Sequence, residues 1–248
     1  MTRQLTESTS LFAIDTRSGE PLWQYEAADS IRHNAIAIAA NTVFLIDRPL
    51  ALFDREKKPQ TKEHPPGKLL ALDMRTGRPR WQNDQEVFGT MLAVSREHKV
   101  LVMCYQPTRF ALDSEVGERL VGLDTESGRR LWDVSARYES RPTLNGRTIY
   151  AQGGAWDLLT GEMKPFEFQR SYGCGLLASS RPMLLFRSAT MGYYDLSGAR
   201  KTMNYGGIRP GCWINALPVG GLVLVPDATD RCECSYLNKS WIALEPVP

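Results

Sequence analysis

"LFAIDTRSGEPLW" (11–23), "LLALDMRTGRPRW" (69–81) and "LVGLDTESGRRLW" (120–132) align without a gap. Each carries Asp, then Gly four residues on, then Trp four after that. The triples are Asp15, Gly19, Trp23; Asp73, Gly77, Trp81; and Asp124, Gly128, Trp132. The apolar residues ahead of each Asp suit a short strand. Asp opens a turn by accepting bonds from the backbone just beyond it, and Gly supplies the positive φ that closes it. The segment after Gly returns as an antiparallel strand whose Trp packs between neighbouring units. The repeat is therefore a β-hairpin with a tryptophan peg.

Working outward, degenerate copies follow. "AWDLLTGEMKP" keeps Asp157 and Gly161 but has Pro165 in the Trp slot. "MGYYDLSGARK" keeps Asp195, with Gly198 one residue early, and "WIALE" (241–245) puts Glu245 in the Asp slot. Between the hairpins lie "NAIAIAANTVFLID", "GTMLAVSREHKVLVMCY", "RPTLNGRTIYAQG", "GLLASSRPMLLFRS" and "NALPVGGLVLVPD". Each reads as strand, tight turn, strand. Two strands plus a hairpin make a four-stranded unit, and about five to six such units in tandem predict an all-β chain, a β-propeller of four-stranded blades. The insertions 48–68 and 106–119 occupy the same place in two successive units and read as surface loops, with Lys57 and Lys58 in a solvated one.

Bulk composition narrows the function classes. The 248 residues carry 30 basic and 28 acidic side chains, so nothing at whole-chain level marks a nucleic-acid partner or an anionic membrane. The apolar runs are of strand length, short of the roughly 20 residues of a membrane span. The N-terminal "MTRQLTESTS" is polar and lacks the apolar core of a secretory signal. The chain thus reads either as cytoplasmic or as a piece of a longer exported protein.

The frame strand-A-x-D-x-x-T/S-G-x-x-x-W resembles the repeat of the pyrroloquinoline-quinone (PQQ)-like propellers. That group includes quinoprotein alcohol dehydrogenases and the propeller lipoprotein of the bacterial outer-membrane assembly machinery. The match is closest over 11–27, 69–83 and 120–134. The tail from "NYGGIRPGCWIN" to "WIALEP" is similar to the C-terminal part of planctomycete-type PQQ-binding-like repeat proteins. The resemblance implies one PQQ-like propeller domain over 1–248, either incomplete on its N-terminal side and part of a seven- or eight-bladed ring, or a smaller ring closed by the N-terminal hairpin supplying the strand that the last unit lacks. It also implies a bacterial, periplasmic or otherwise extracytoplasmic setting for the intact protein.

A quinoprotein dehydrogenase of this group would need an adjacent Cys–Cys pair over the quinone, a Trp floor, a carboxylate base and oxygen ligands for Ca²⁺. This chain has no Cys-Cys dipeptide; Glu233 separates Cys232 from Cys234. It has no C-x-x-C-H for a c-type haem, no G-x-S-x-G, no P-loop and no H-E-x-x-H. His64 and His98 stand in polar loop or turn contexts, and His33 just ahead of a strand. The reading is a non-catalytic scaffold without a cofactor that binds a protein partner or an extracellular ligand. The alternative is a quinoprotein-type oxidoreductase using PQQ or a Cys-bound metal.

Four of the five cysteines, Cys174, Cys212, Cys232 and Cys234, fall in the last two units. In an extended segment, residues two apart point to the same face, so Cys232 and Cys234 present two sulfurs side by side. Two disulfides to Cys174 and Cys212, a four-cysteine zinc or iron–sulfur site, and free thiols all fit this pattern. Cys104 reads as a small buried strand residue. The same two units carry Arg187, Arg209, Trp213, Asn215, Asp227, Asp230 and Arg231, polar groups beside an aromatic, as a ligand pocket requires. Against that stands a plainer reading, in which Asp227 and Asp230 cap turns and the arginines pair with them.

Overall fold

The computed structural model describes residues 7–48, 66–106, 116–173, 175–211, 216–228 and 238–245. Among them every regular element is a β-strand, all pairings are antiparallel, and no helix is long and apolar enough to cross a membrane. The chain divides into two units: Met1–Arg137 with Leu158–Gly161, and Tyr138–Asp157 with Glu162–Pro248.

Unit 1 holds two sheets. The first comprises β1 (Glu7–Ile14), β2 (Pro21–Ala39), β3 (Thr42–Asp47), β4 (Lys68–Asp73) and β5 (Pro79–Asn83), in that order. Its fifth strand arises because β2 is 19 residues long. The start of β2 pairs with β1, as Trp23 with Ala13, and its end pairs with β3, as Ile38 with Val43. The outgoing strand of one hairpin thus runs directly into the first strand of the next four-stranded unit. The second sheet orders β6 (Met91–Ser95), β7 (Val100–Cys104), β8 (Arg119–Asp124) and β9 (Arg130–Ser135).

The sheets stack face to face. Alternate residues of β3 serve opposite neighbours: Phe44 and Ile46 pack with Leu101, Met103 and Val121 of the second sheet, while Val43 and Leu45 meet Leu11, Trp23 and Tyr25 of the first hairpin. A strand covered on both faces reads as a continuous apolar run, which is why "TVFLID" does not alternate. Asp47, buried at the end of β3, accepts from Tyr25 Oη (2.9 Å), Ala28 N (2.7 Å) and Asp29 N (3.0 Å), pinning the crossing segment of β2. Burial and this carboxylate together push the Tyr25 phenol far above its ordinary range.

Unit 2 repeats the pattern. One sheet orders β10 (Thr143–Asn145), β11 (Thr148–Ala151), β12 (Gly154–Asp157) and β13 (Met163–Lys164). The next orders β14 (Ala178–Ser180), β15 (Met183–Ser188), β16 (Thr190–Asp195) and β17 (Thr202–Tyr205). The last holds β18 (Leu217–Val219), β19 (Leu222–Val225) and β20 (Ile242–Leu244) among the described residues. All five strand–turn–strand segments read from the sequence are present, from β2–β3 through β18–β19.

The hairpin turns follow the expected chemistry. Asp15, Asp73 and Asp124 each take two backbone N–H groups on Oδ1, from Arg17 and Ser18, Arg75 and Thr76, and Glu126 and Ser127. The closing glycines stand at φ +76°, +68° and +70°, where a side chain is strained. Each Trp then clamps onto the following hairpin. Trp23 Nε1 donates to Met74 O (2.9 Å), Trp81 Nε1 to Thr125 O (3.0 Å) and Trp132 Nε1 to Leu158 O (3.0 Å). The ring lies on that hairpin's glycine. A Cβ on Gly77 would stand 2.7 Å from Trp23, one on Gly128 2.6 Å from Trp81, and one on Gly161 2.7 Å from Trp132. The glycine therefore answers two demands, left-handed backbone and room for an indole.

Candidate functional site

In unit 1 a cleft of about 360 Å³ opens at the turn ends of the two sheets. Phe44 stands in its lining, buried and 5.9 Å from the Trp81 ring at an interplanar angle of 42°. The β2–β3 turn supplies Ala40 and Thr42, the β6–β7 turn Ser95, Arg96 and Lys99, the β8–β9 turn Thr125 and Glu126, and β5 Arg80. The Trp81 clamp fixes the geometry, since the carbonyl it grips belongs to Thr125, whose own N–H donates to Lys99 O (3.0 Å). Ala40 and Lys99 hold positive φ, 48° and 54°, as tight strand connections require.

Charge gathers at the mouth. Arg80 donates to Asp73 Oδ2 at 2.6 Å, and with the turn amides this holds the Asp73 carboxyl down to about 2. Lys99 Nζ lies 2.7 Å from Glu126, which raises the ammonium above its ordinary value. Arg96 is exposed and makes no ion pair among the described residues. The position of Arg80 is leucine in both sister hairpins, Leu22 and Leu131, so the cation distinguishes this repeat from its neighbours. Three cations, two of them paired with Asp73 and Glu126 and Arg96 with no ion pair among the described residues, and the hydroxyls of Thr42, Ser95 and Thr125 over an aromatic suit an acidic group carried on an apolar stem.

The sequence did not single out these residues, because each belongs to a turn or strand whose role in the repeat already explained it. The one available signal was arginine at a slot filled by leucine elsewhere.

The residues the sequence did single out are placed as follows. Arg187 is fully buried in β15, its guanidinium 5.5 Å from the Tyr172 ring centre. Arg209 exchanges two bonds with Asn238: its N–H donates to Oδ1 and its carbonyl accepts from the Asn238 N–H, both 3.1 Å. The Asn238 carbonyl accepts from Ala228 N (2.9 Å), which brings the Arg209 segment beside Asp227. Trp213, Asn215, Asp230 and Arg231 lie outside the described residues, as do Cys174, Cys212, Cys232 and Cys234, the insertion with Lys57 and Lys58, and His64. Cys104 is buried in β7, as read. His33 is exposed within β2, its Nε2 2.9 Å from Ser8 Oγ, and His98 lies in the β6–β7 turn. Among the described residues no three His, Cys, Asp or Glu side chains gather as metal ligands.

A second polar group lies on unit 1. Arg119 bonds Asp133 through Nε (2.8 Å) and Nη2, and Arg119 and Arg130 both reach Glu86, at 3.4 and 3.0 Å. The arginines hold both carboxyls below their usual range. Tyr105 donates to Glu86 O (3.0 Å), and burial pushes its phenol up to about 12. The network is charge-balanced and braces β8 against β9.

The comparisons with known proteins agree with the fold. The family model described as outer membrane protein assembly factor BamB matches residues 3–164. No curated protein matches the chain. Among solved structures, BamB from Moraxella catarrhalis superposes with a TM-score of 0.56 at 18% identity, over 89% of this chain and 62% of that one. The Neurospora crassa Pan2 WD40 domain gives 0.56 at 10% identity, covering 89% and 67%. A europium-containing methanol dehydrogenase gives 0.51 at 11% identity, covering 88% and 57%. At these identities the likeness shows the fold: a PQQ-like β-propeller with WD40-like architecture. The chain spans 62% of the length of the BamB structure.

Proposed function

The chain belongs to the family described as outer membrane protein assembly factor BamB, and from that premise we propose that it is a non-catalytic scaffold, working outside the cytoplasm, that binds a protein partner through its loop-bearing surfaces. The observation that carries the reading is the family match across the clamped hairpins, 3–164, because those hairpins build the cleft. BamB is, by its description, a factor in assembling outer membrane proteins, and a factor of that kind works through contacts with other polypeptides.

The site chemistry supports the same reading. The carboxylates of the repeat are employed in turns or in arginine pairs that hold them ionised, which suits a rigid platform better than proton transfer. The cleft fits an acidic side chain of a partner, anchored on Arg96 with Lys99 and Arg80 beside it.

The test is photo-crosslinking. A benzophenone amino acid placed at Arg96 in cells should yield one dominant protein adduct, recovered from the extracytoplasmic fraction, and Arg96→Glu should weaken the same complex at least tenfold. Dye reduction by an alcohol upon adding PQQ and Ca²⁺, or recovery of the protein and its adduct only from the cytoplasm, would overturn the reading.

A further inference from the structure

The two ion pairs at the mouth of the unit 1 cleft are built differently. Asp73 is committed to its turn. Its Oδ1 takes the N–H groups of Arg75 and Thr76, both at 3.0 Å, and the Thr76 hydroxyl at 3.1 Å, while Oδ2 takes Arg80. Moving this carboxylate away would undo the turn. Glu126 has no such duty. Its turn uses only its backbone N–H, which donates to Asp124 Oδ1 (3.2 Å), and among the described residues its carboxylate meets Lys99 Nζ alone. The side chains of Lys99 and Glu126 are 64% and 70% exposed, and an ion pair in water is worth little.

The repeat marks this pair as particular to the cleft. Lys99 O accepts the backbone N–H of Thr125 (3.0 Å) as Asn41 O accepts that of Met74 (2.9 Å), so Lys99 stands where the preceding sheet has Asn41. Glu126 stands two residues after its Asp, where the sister hairpins have Arg17 and Arg75. Both members of the pair thus differ from the sister copy, and both line the cleft with Arg80 and Arg96. The backbone beneath them is fixed, because Trp81 grips Thr125 O and Thr125 N grips Lys99 O. Glu126 can leave Lys99 by side-chain rotation alone.

We propose that Glu126 is the cleft's resident carboxylate and that an acidic side chain of the partner enters by displacing it from Lys99. This rests on the scaffold reading and adds a regulatory step to it. Tethered beside Lys99, Glu126 competes at the effective concentration of an intramolecular group. It pairs with one cation, whereas the incoming carboxylate gains Arg96 as well, which has no ion pair among the described residues. A small anion must beat the tether on charge alone. The exchange therefore favours an acid delivered on a polypeptide that makes further contacts. Arg80 stays with Asp73 throughout.

The probe is blocked glutamate, N-acetyl-glutamate N-methylamide, with blocked glutamine as the uncharged control. Nuclear magnetic resonance titration of the full chain, followed at the backbone amides of 95–99 and 125–126, gives the affinity. Glu126→Gln should tighten binding about threefold to fivefold, the factor an exposed pair supplies, and about half-molar salt should shrink that gain. Lys99→Met added to Glu126→Gln should erase it. Glu97→Gln removes the same charge from an exposed side chain that does not line the cleft, and should leave the affinity nearly unchanged. Blocked glutamine should not bind.

Equal gains from Glu126→Gln and Glu97→Gln would reduce the effect to net charge and overturn the proposal. So would binding that Glu126→Gln leaves unchanged or weakens, or no binding of blocked glutamate to either chain. A partner crosslinked at Arg96 whose affinity ignores Glu126→Gln would sink the exchange and leave the scaffold reading standing. Exchange with blocked glutamate, but no protein crosslinked at Arg96, would do the reverse.

Discussion

Trp132 in unit 1 and Phe166 in unit 2 each follow a glycine turn of the repeat and are held in place by different means. Trp132 is locked by a directional bond to Leu158 O and a glycine that leaves room for its ring. In the fourth copy Pro165 occupies the peg slot, its missing N–H ends the pairing of β13 at Lys164, and the aromatic moves one residue on. Phe166 there stands 5.2 Å from Tyr150 and 4.9 Å from Tyr194, and stacks on Phe168 at 5.4 Å and 14°. Phe168 in turn sits edge-on to Phe186 at 4.8 Å. Unit 1 uses a clamp with a donor and an acceptor, and unit 2 uses a shared aromatic cluster. The clamp fixes one geometry, whereas the cluster tolerates substitution as long as apolar volume is kept.

The sharpest way to break this contrast is truncation followed by conservative replacement. Trp132→Ala should cost about 3–5 kcal/mol, since a buried aromatic and its bond both go. Trp132→Phe should still cost about 1–3 kcal/mol, because the Leu158 carbonyl loses its donor. Phe166→Leu should cost under about 1.5 kcal/mol, as nothing directional is lost. Urea unfolding, followed at Trp and by far-UV circular dichroism, measures all three. Equal costs for Trp132→Phe and Phe166→Leu would show that the indole N–H contributes nothing.

Glycine scanning sharpens the clamp itself. Gly128→Ala adds a methyl group 2.6 Å from the Trp81 ring at φ +70°, and should cost about 2–4 kcal/mol from strain and overpacking together. Gly19→Ala meets the same φ penalty with open space around it, and should cost only about 1 kcal/mol. The difference between the two reports the contact with the ring directly in thermal unfolding. Equal losses would mean that the ring yields without cost.

How far these features could be read from the sequence follows the same divide. Where Asp, Gly and Trp recur at fixed spacing, each letter has one physical job, and turn, φ and peg were all legible. The acceptor of the indole N–H was not, because it is a backbone carbonyl in the next repeat and any residue supplies one: Met74, Thr125 and Leu158 share nothing else. In unit 2 the pattern misled. Gly198 suggested a turn shortened by one residue, but the positive φ falls on Arg200, and Asp195 N reaches Lys201 O across a longer loop. The aromatic stand-ins for the peg carried no spacing signal, since a cluster drawn from three strands and a connecting loop has no period. The cleft was missed for a related reason, as its cations project from turns that the repeat had already explained.

The smallest expected effect separates the turn carboxylates of the two units. Asp73 and Asp195 both have pKa values lowered to about 2, but the largest cause for Asp73 is the exposed Arg80, with Thr76 and Arg75 adding to it, and for Asp195 the backbone amide of Ala199, with Ser197 and Gly198 adding to it. For each, the folded-state value lies below the unfolded one. The contribution is therefore present above about pH 4 and is lost as pH falls toward about 2. Screening acts on a guanidinium in water far more than on a fixed amide at contact distance. Asp73→Asn should therefore flatten the acid limb of the stability–pH curve more at low ionic strength than in about half-molar salt, where only the Arg75 and Thr76 amides still act in full, while Asp195→Asn should flatten it equally in both. Urea midpoints taken at about pH 5 and about pH 2.5, with and without salt, decide the matter. A salt-sensitive Asp195 would mean that its loop is held by charge and not by the backbone, and the contrast between the two turns would then fail.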